Sequence, residues 1–177
     1  MENTIQTNTA TNGQELLAMS KNDIGVYLDP VYSHTATHFA DAPQLRGLVK
    51  EIVEKTVLDQ DLMLFDTNMG HVIGNSDLVE NSENDTIIYA KRINRDIYTS
   101  FNMSQPPQPC SIVAISLKRQ SSHSYELLSA WVGSTSCPPF PGDIHETPES
   151  KPFWMHHSLA WGTQEIQEDT KTMNCPW

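Results

Sequence analysis

Apolar residues recur at helical spacing in one stretch of this chain. Leu45, Leu48, Val49, Ile52 and Val53 fall on a single stripe of a 3.6-residue helix. Asp41 followed three residues later by Gln44 forms a capping box, and Pro43 is tolerated in the first turn. The pattern predicts a helix running to about Val57. Beyond it the period changes. DLMLFD and HVIGNSDLVE flank an NMG turn and read as a hairpin. DTIIYAKRI is a strand by its β-branched and aromatic content; Asn94-Arg95-Asp96 either turns it into IYTSF or leaves one long bent strand. SQPPQPC reads as a loop because of its three prolines. SIVAISLKR and YELLSAWVG, joined through QSSHS, form a second hairpin, and FWMHHSLAWG predicts a short C-terminal helix ending at Gly162.

The expected fold class is therefore α+β: an N-terminal helix, then an antiparallel sheet of four to six strands, then a short C-terminal helix. Residues 1–22 read as a polar, loosely ordered lead-in, with a helical turn around QELLAMS, and residues 23–177 as a single α+β domain. No positive charge precedes Lys21 and no continuous apolar run follows the first methionine, so no secretory signal is expected. No stretch approaches the length of a membrane span, so no membrane partner is expected. Cys110, Cys137 and Cys175 are odd in number and widely spaced, which suits a reducing compartment. A cytoplasmic location follows as the expectation.

Charge changes the picture. The chain carries a formal net charge of -11, which opposes nucleic-acid binding. Its distribution is uneven: from Ile88 to Arg119 there are five basic residues, Lys91, Arg92, Arg95, Lys118 and Arg119, against one acid, Asp96. That segment holds +4 and the remainder -15, so it is either a candidate anion site or a solvated sheet face.

His34 and His38 precede the helix and share a face in either a strand or a helix. A metal would need a further ligand from His145, Glu146, His156 or His157. With no His-Glu-x-x-His and no cysteine at ligand spacing, no metal is assigned and no cofactor is expected. The phosphate-loop and nucleophile-elbow glycine patterns are also absent. What remains is a histidine before the first helix, cations on a middle strand (Lys91, Ile93 and Arg95 on one face if the strand runs straight), and Tyr125, Leu127, Ser129 and Trp131 alternating onto one face of a late strand.

This order of residues resembles the barnase, colicin D and RelE type of metal-independent ribonuclease domain, over about residues 31 to 133. On that resemblance His38 matches the histidine, Ser129 and Trp131 the late Ser-x-Trp, and Lys91, Arg92 and Arg95 the basic support. The lysine that such domains place just before the histidine is missing here. The resemblance implies RNA cleavage by attack of the 2′-hydroxyl on the adjacent phosphate, in an active or degenerate domain. His38 would serve as base and His34 as the spare candidate for the acid. Arg92 or Arg95 would pair with phosphate and Lys91 would act as a point charge. Ser129 would donate to a phosphoryl oxygen, and Trp131 or Tyr98 would stack on a base of single-stranded or structured RNA. The alternative is a non-catalytic binding or interaction module that uses the same strands or the CPPFPG loop, its protein partner unknown. A metal-dependent small-molecule enzyme built on His34 and His38 stands third.

Overall fold

The computed structural model describes residues 13–29, 39, 43–93, 95–162 and 165–177. It is α+β, with two α-helices and eleven strands among the described residues. The chain divides into two compact units, residues 1–67 with 113–131, and residues 68–112 with 132–177.

The first unit is built on a five-stranded sheet. In chain order its strands are β1 (Glu15–Met19), β2 (Gly25–Leu28), β3 (Leu62–Asn68), β9 (Ile112–Ser121) and β10 (Ser124–Val132), and the spatial order is β1-β2-β10-β9-β3. β1 and β2 pair antiparallel around a turn in which Asp23 adopts a positive φ of 59°. Aspartate tolerates that left-handed conformation better than bulkier residues do. β10 runs parallel to β2, aligning Tyr125 with Val26. β9 reads IVAISL because Val113, Ala114, Ile115 and Leu117 are all fully buried, as expected of a strand covered on both faces.

Helix α1 (Pro43–Lys55) buries Leu45, Val49, Ile52 and Val53 and packs against β1. Each such side chain contributes on the order of 1.5–3 kcal/mol. The helix exit is pinned by Asn22, whose side chain donates to Leu58 O (2.9 Å) and accepts from Leu58 N (3.0 Å).

The second unit carries a four-stranded sheet in the order β5-β11-β7-β6 and a two-stranded ribbon, β4 with β8. Its strands are β4 (Gly74–Ser76), β5 (Leu78–Glu80), β6 (Ile87–Lys91), β7 (Tyr98–Asn102), β8 (Gln108–Cys110) and β11 (His157–Ala160). β6 and β7 form a hairpin running from Ile87↔Asn102 to Lys91↔Tyr98. β11 lies parallel to β7 and antiparallel to β5. Helix α2 (Ser150–His156) leads into β11, and a 3-10 turn (Glu168–Thr170) lies in the C-terminal segment. Ile88, Ala90, Phe101 and Ile166 form a buried cluster, with Leu159 and Trp161 against it.

Several expectations are corrected. The helix is not N-terminal: β1 and β2 precede it, and the strands form three sheets. QELLAMS is strand β1, not a helical turn. A register shift between Leu16 and Ala18 lets the consecutive Leu17 and Ala18 both be buried, which erases the alternation that marks a strand. DLMLFD and HVIGNSDLVE do not pair with each other. β3 lies on β9 and β4 on β8, and Met69 N and Ile73 N donate to Ser111 O (2.7 Å) and Cys110 O (2.9 Å).

SQPPQPC is not all loop, because Pro109 sits in β8 opposite Asn75; a two-stranded ribbon has outer edges where a missing N–H costs nothing. FWMHHSLAWG is helical only to His156. His157 is extended (φ -130°, ψ 153°), and the chain continues as β11 between β5 and β7. The Asp41 cap and the His34 and His38 positions lie outside the described residues. Among the described residues no helix is long and apolar enough to cross a membrane.

Candidate functional site

The six residues that join β6 to β7 concentrate charge. Of the two readings of DTIIYAKRI, the turn is the one realised, so Lys91, Ile93 and Arg95 do not share a strand face. Arg95 N donates to Arg92 O (3.1 Å), closing the turn just beyond the last β6–β7 pair.

The four residues expected there from sequence, Lys91, Arg92, Arg95 and Tyr98, are brought together, but not on equal terms. Lys91 Nζ lies 2.5 Å from Asp96 Oδ1 and 5.5 Å from the Tyr98 ring centroid. Its hydrogen bond to Asp96 raises the ammonium pKa, and that same bond lowers the pKa of the Asp96 carboxyl. The Lys91 charge is thus already answered, and the lysine takes one face of the Tyr98 ring.

Arg92 is different. Its guanidinium carbon lies 5.9 Å from the Phe140 ring centroid, and its Nε is buried with no hydrogen-bond partner. Burial first, and then the neighbouring Arg95, lower its pKa, although an arginine remains charged at any physiological pH. Among the described residues no carboxylate forms an ion pair with Arg92 or Arg95, and Arg95 is exposed. Among the described residues these two guanidinium groups have no ion-pair partner, one of them is partly stripped of water, and together they present positive charge to an anion.

Phe140 is held in place by its own surroundings. It stacks on Trp154 with ring centroids 3.9 Å apart and 18° between planes. The Trp154 indole N–H donates to Pro138 O (3.0 Å) and Pro139 O (3.2 Å). The CPPFPG loop is therefore pinned into the second unit by Trp154.

From the other side the C-terminal segment pairs with β6. Tyr89 and Thr172 exchange both backbone hydrogen bonds (2.8 and 2.9 Å), Gln167 N donates to Lys91 O (2.8 Å), and Ile93 N donates to Glu165 O (3.1 Å). The Gln167 side-chain amide then donates to Arg92 O (3.1 Å) and Arg95 O (3.2 Å).

Ser129 and Trp131 belong to the first unit, on β10. Both are half-buried, and the inward phase of the strand changes beyond Leu127, so that Ala130 is buried in place of Ser129. The expected alternation of Tyr125, Leu127, Ser129 and Trp131 is corrected accordingly. Lys118 and Arg119 also belong to the first unit, with Arg119 Nε 3.0 Å from Asp61, so the +4 segment of the sequence is divided between the two units. His34 and His38 lie outside the described residues. Among the described residues no group of three or more histidine, cysteine or acidic side chains is placed to hold a metal ion, and the three cysteines are free thiols.

Sequence reasoning missed Trp154 and Gln167, and placed Phe140 only in a loop that could meet a partner. The prolines of CPPFPG signalled a loop without its anchor, and Gln167 carries no local signal at all, because its role depends on a pairing more than seventy residues away in the chain. Compared with known proteins, the chain matches no family model, no curated protein and no solved structure.

Proposed function

We propose that the protein is a binding module for single-stranded RNA that takes a backbone phosphate at the β6–β7 turn. The observation that carries this reading is the Arg92–Arg95 pair, in which one guanidinium is half-buried over an aromatic ring with an orphaned Nε and neither is matched by a carboxylate among the described residues. A phosphate supplies what such a pair lacks. Its oxygens accept the planar forked donors of arginine, and its charge relieves the repulsion between the two cations. The acidic remainder of the chain limits affinity and gives selectivity for ligands small or flexible enough to reach the turn alone.

The test is fluorescence anisotropy of a labelled single-stranded RNA oligonucleotide across a salt series. Arg92→Ala/Arg95→Ala is expected to weaken binding and to flatten the plot of log affinity against log salt by roughly 0.7 for each phosphate no longer neutralised. Affinity and slope equal to those of the native chain would overturn the reading.

A second, catalytic reading keeps the ribonuclease assignment. It is supported by the positions of Ser129 and Trp131 on β10, both half-buried where Tyr125 and Leu127 are fully buried. In it His38 abstracts the 2′-hydroxyl proton, Ser129 stabilises charge on the phosphoryl oxygens, and His34 protonates the leaving oxygen. A mixed RNA pool incubated with the protein in EDTA is expected to be cleaved, and His38→Ala to abolish the cleavage. Intact RNA with the native chain removes the catalytic reading and leaves the binding reading standing.

A further inference from the structure

The anion site at the β6–β7 turn consists of two side chains on a short connection, and such connections do not hold a fixed spacing by themselves. We infer that Gln167 is the positioning residue that fixes the distance between the Arg92 and Arg95 guanidinium groups. This inference rests on the binding reading above and extends it to a residue in the C-terminal segment.

Three hydrogen bonds from one residue support it. Gln167 N donates to Lys91 O at 2.8 Å, extending the β6 pairing by one residue. Its side-chain amide then donates to Arg92 O at 3.1 Å and to Arg95 O at 3.2 Å, serving two carbonyls that no backbone donor of the C-terminal segment reaches. The same Arg92 O accepts from Arg95 N, so the carbonyl that closes the turn is also the one that the amide grips.

Gln167 is itself held. Its carbonyl accepts from Thr170 N (2.9 Å) and from Thr170 Oγ1 (2.7 Å), and that hydroxyl accepts from Lys91 N (2.9 Å). Ile166, one residue earlier, is anchored in the buried cluster with Ile88, Ala90 and Phe101. A primary amide is the one uncharged side chain of this length with two N–H donors, so it can serve both carbonyls without placing a third cation beside the arginines.

The geometry separates positioning from mere support. Removing the amide leaves both arginines, their charges and the Ile166 anchor in the chain, and frees only the spacing of the turn. Gln167→Met keeps length and apolar stem and deletes both donors. It is expected to weaken the RNA oligonucleotide about fivefold, the effect of one or two net hydrogen bonds. The salt slope is expected to fall by less than in Arg92→Ala/Arg95→Ala, as one arginine still neutralises the phosphate.

The decisive readout is coupling. In an Arg95→Ala background the Gln167→Met effect should vanish, because there is no second guanidinium left to space, whereas a purely structural role would add its loss unchanged. Gln167→Met binding like the native chain, while Arg92→Ala/Arg95→Ala weakens it, overturns the positioning role and spares the site. Additive losses in the double variant do the same. An oligonucleotide that does not bind the native chain at low salt, or binds it as tightly as it binds Arg92→Ala/Arg95→Ala, overturns both.

Discussion

Trp154 offers the sharpest test of how the second unit is held together. It is 3% exposed, it stacks on Phe140, it meets Phe153 edge-on with centroids 5.1 Å apart, and its N–H serves both Pro138 O and Pro139 O. Trp154→Phe gives up roughly 40 Å² of buried apolar surface, on the order of 1 kcal/mol. It also deletes the one donor shared by the two proline carbonyls, about 1 kcal/mol more. The expected loss is about 2 kcal/mol, and Trp154→Ala should lose about 4 kcal/mol because it leaves a cavity as well.

Urea unfolding followed by far-ultraviolet circular dichroism reads this directly. With a slope of about 2 kcal/mol per M, Trp154→Phe should lower the midpoint by about 1 M. If the two units melt separately, the shift belongs to the transition of the unit that contains Trp154. A cycle with Phe140→Leu and Trp154→Leu should show about 1 kcal/mol of coupling from the stack. A Trp154→Phe midpoint within about 0.2 M of the native chain, together with additive losses in the cycle, would refute the claim that this indole pins the proline-rich loop.

Two further outcomes follow from other groups. Asp96→Asn removes the carboxylate that occupies Lys91, so RNA binding at low salt should tighten roughly threefold while stability changes little, because the Asp96 partner is solvent-exposed; weaker binding measured by anisotropy would count against a Lys91 held back by Asp96. Asp85 has its pKa lowered to about 2 by hydrogen bonds from Ser82 N and from the Asn102 and Gln105 amides. A depressed carboxyl pKa contributes stability that is whole above the unfolded value of about 4 and drains away as pH falls through the folded one. Asp85→Asn should therefore be less stable than the native chain at neutral pH and converge with it toward pH 2, with Asp96 leaving a smaller residual slope in the same direction. Parallel acid-unfolding curves for the two proteins would contradict this.

What the sequence made legible was local order. The α1 stripe was plain because Leu45, Val49, Ile52 and Val53 face one core at a single period. The β9–β10 hairpin was plain because two long β-rich runs are joined by only two residues. β1 was hidden by its bulge, which breaks the alternation on which a strand reading depends. β4, β8 and β11 were hidden because each is three or four residues long and is defined by a distant partner, not by its own composition. The site followed the same rule. Arg92 and Arg95 were visible as charges, but their being uncompensated depends on Asp96 choosing Lys91, and on a phenyl ring and an amide supplied by segments far along the chain. Those are tertiary facts with no local periodicity.

The parallel pairing of β2 with β10 has a consequence for biogenesis. Val26 meets Tyr125, so roughly a hundred residues must leave the ribosome before β2 gains its second neighbour. At synthesis rates of about 5–20 residues per second, that interval lasts on the order of 5–20 s. Until then a nascent chain that has already emitted β1, β2, α1 and β3 lacks the two middle strands of their sheet, and carries an unsaturated backbone rim open to other chains. Overexpression at reduced temperature, or with holdase chaperones, should therefore raise the recovered yield, whereas a fragment stopped at Thr67 should precipitate.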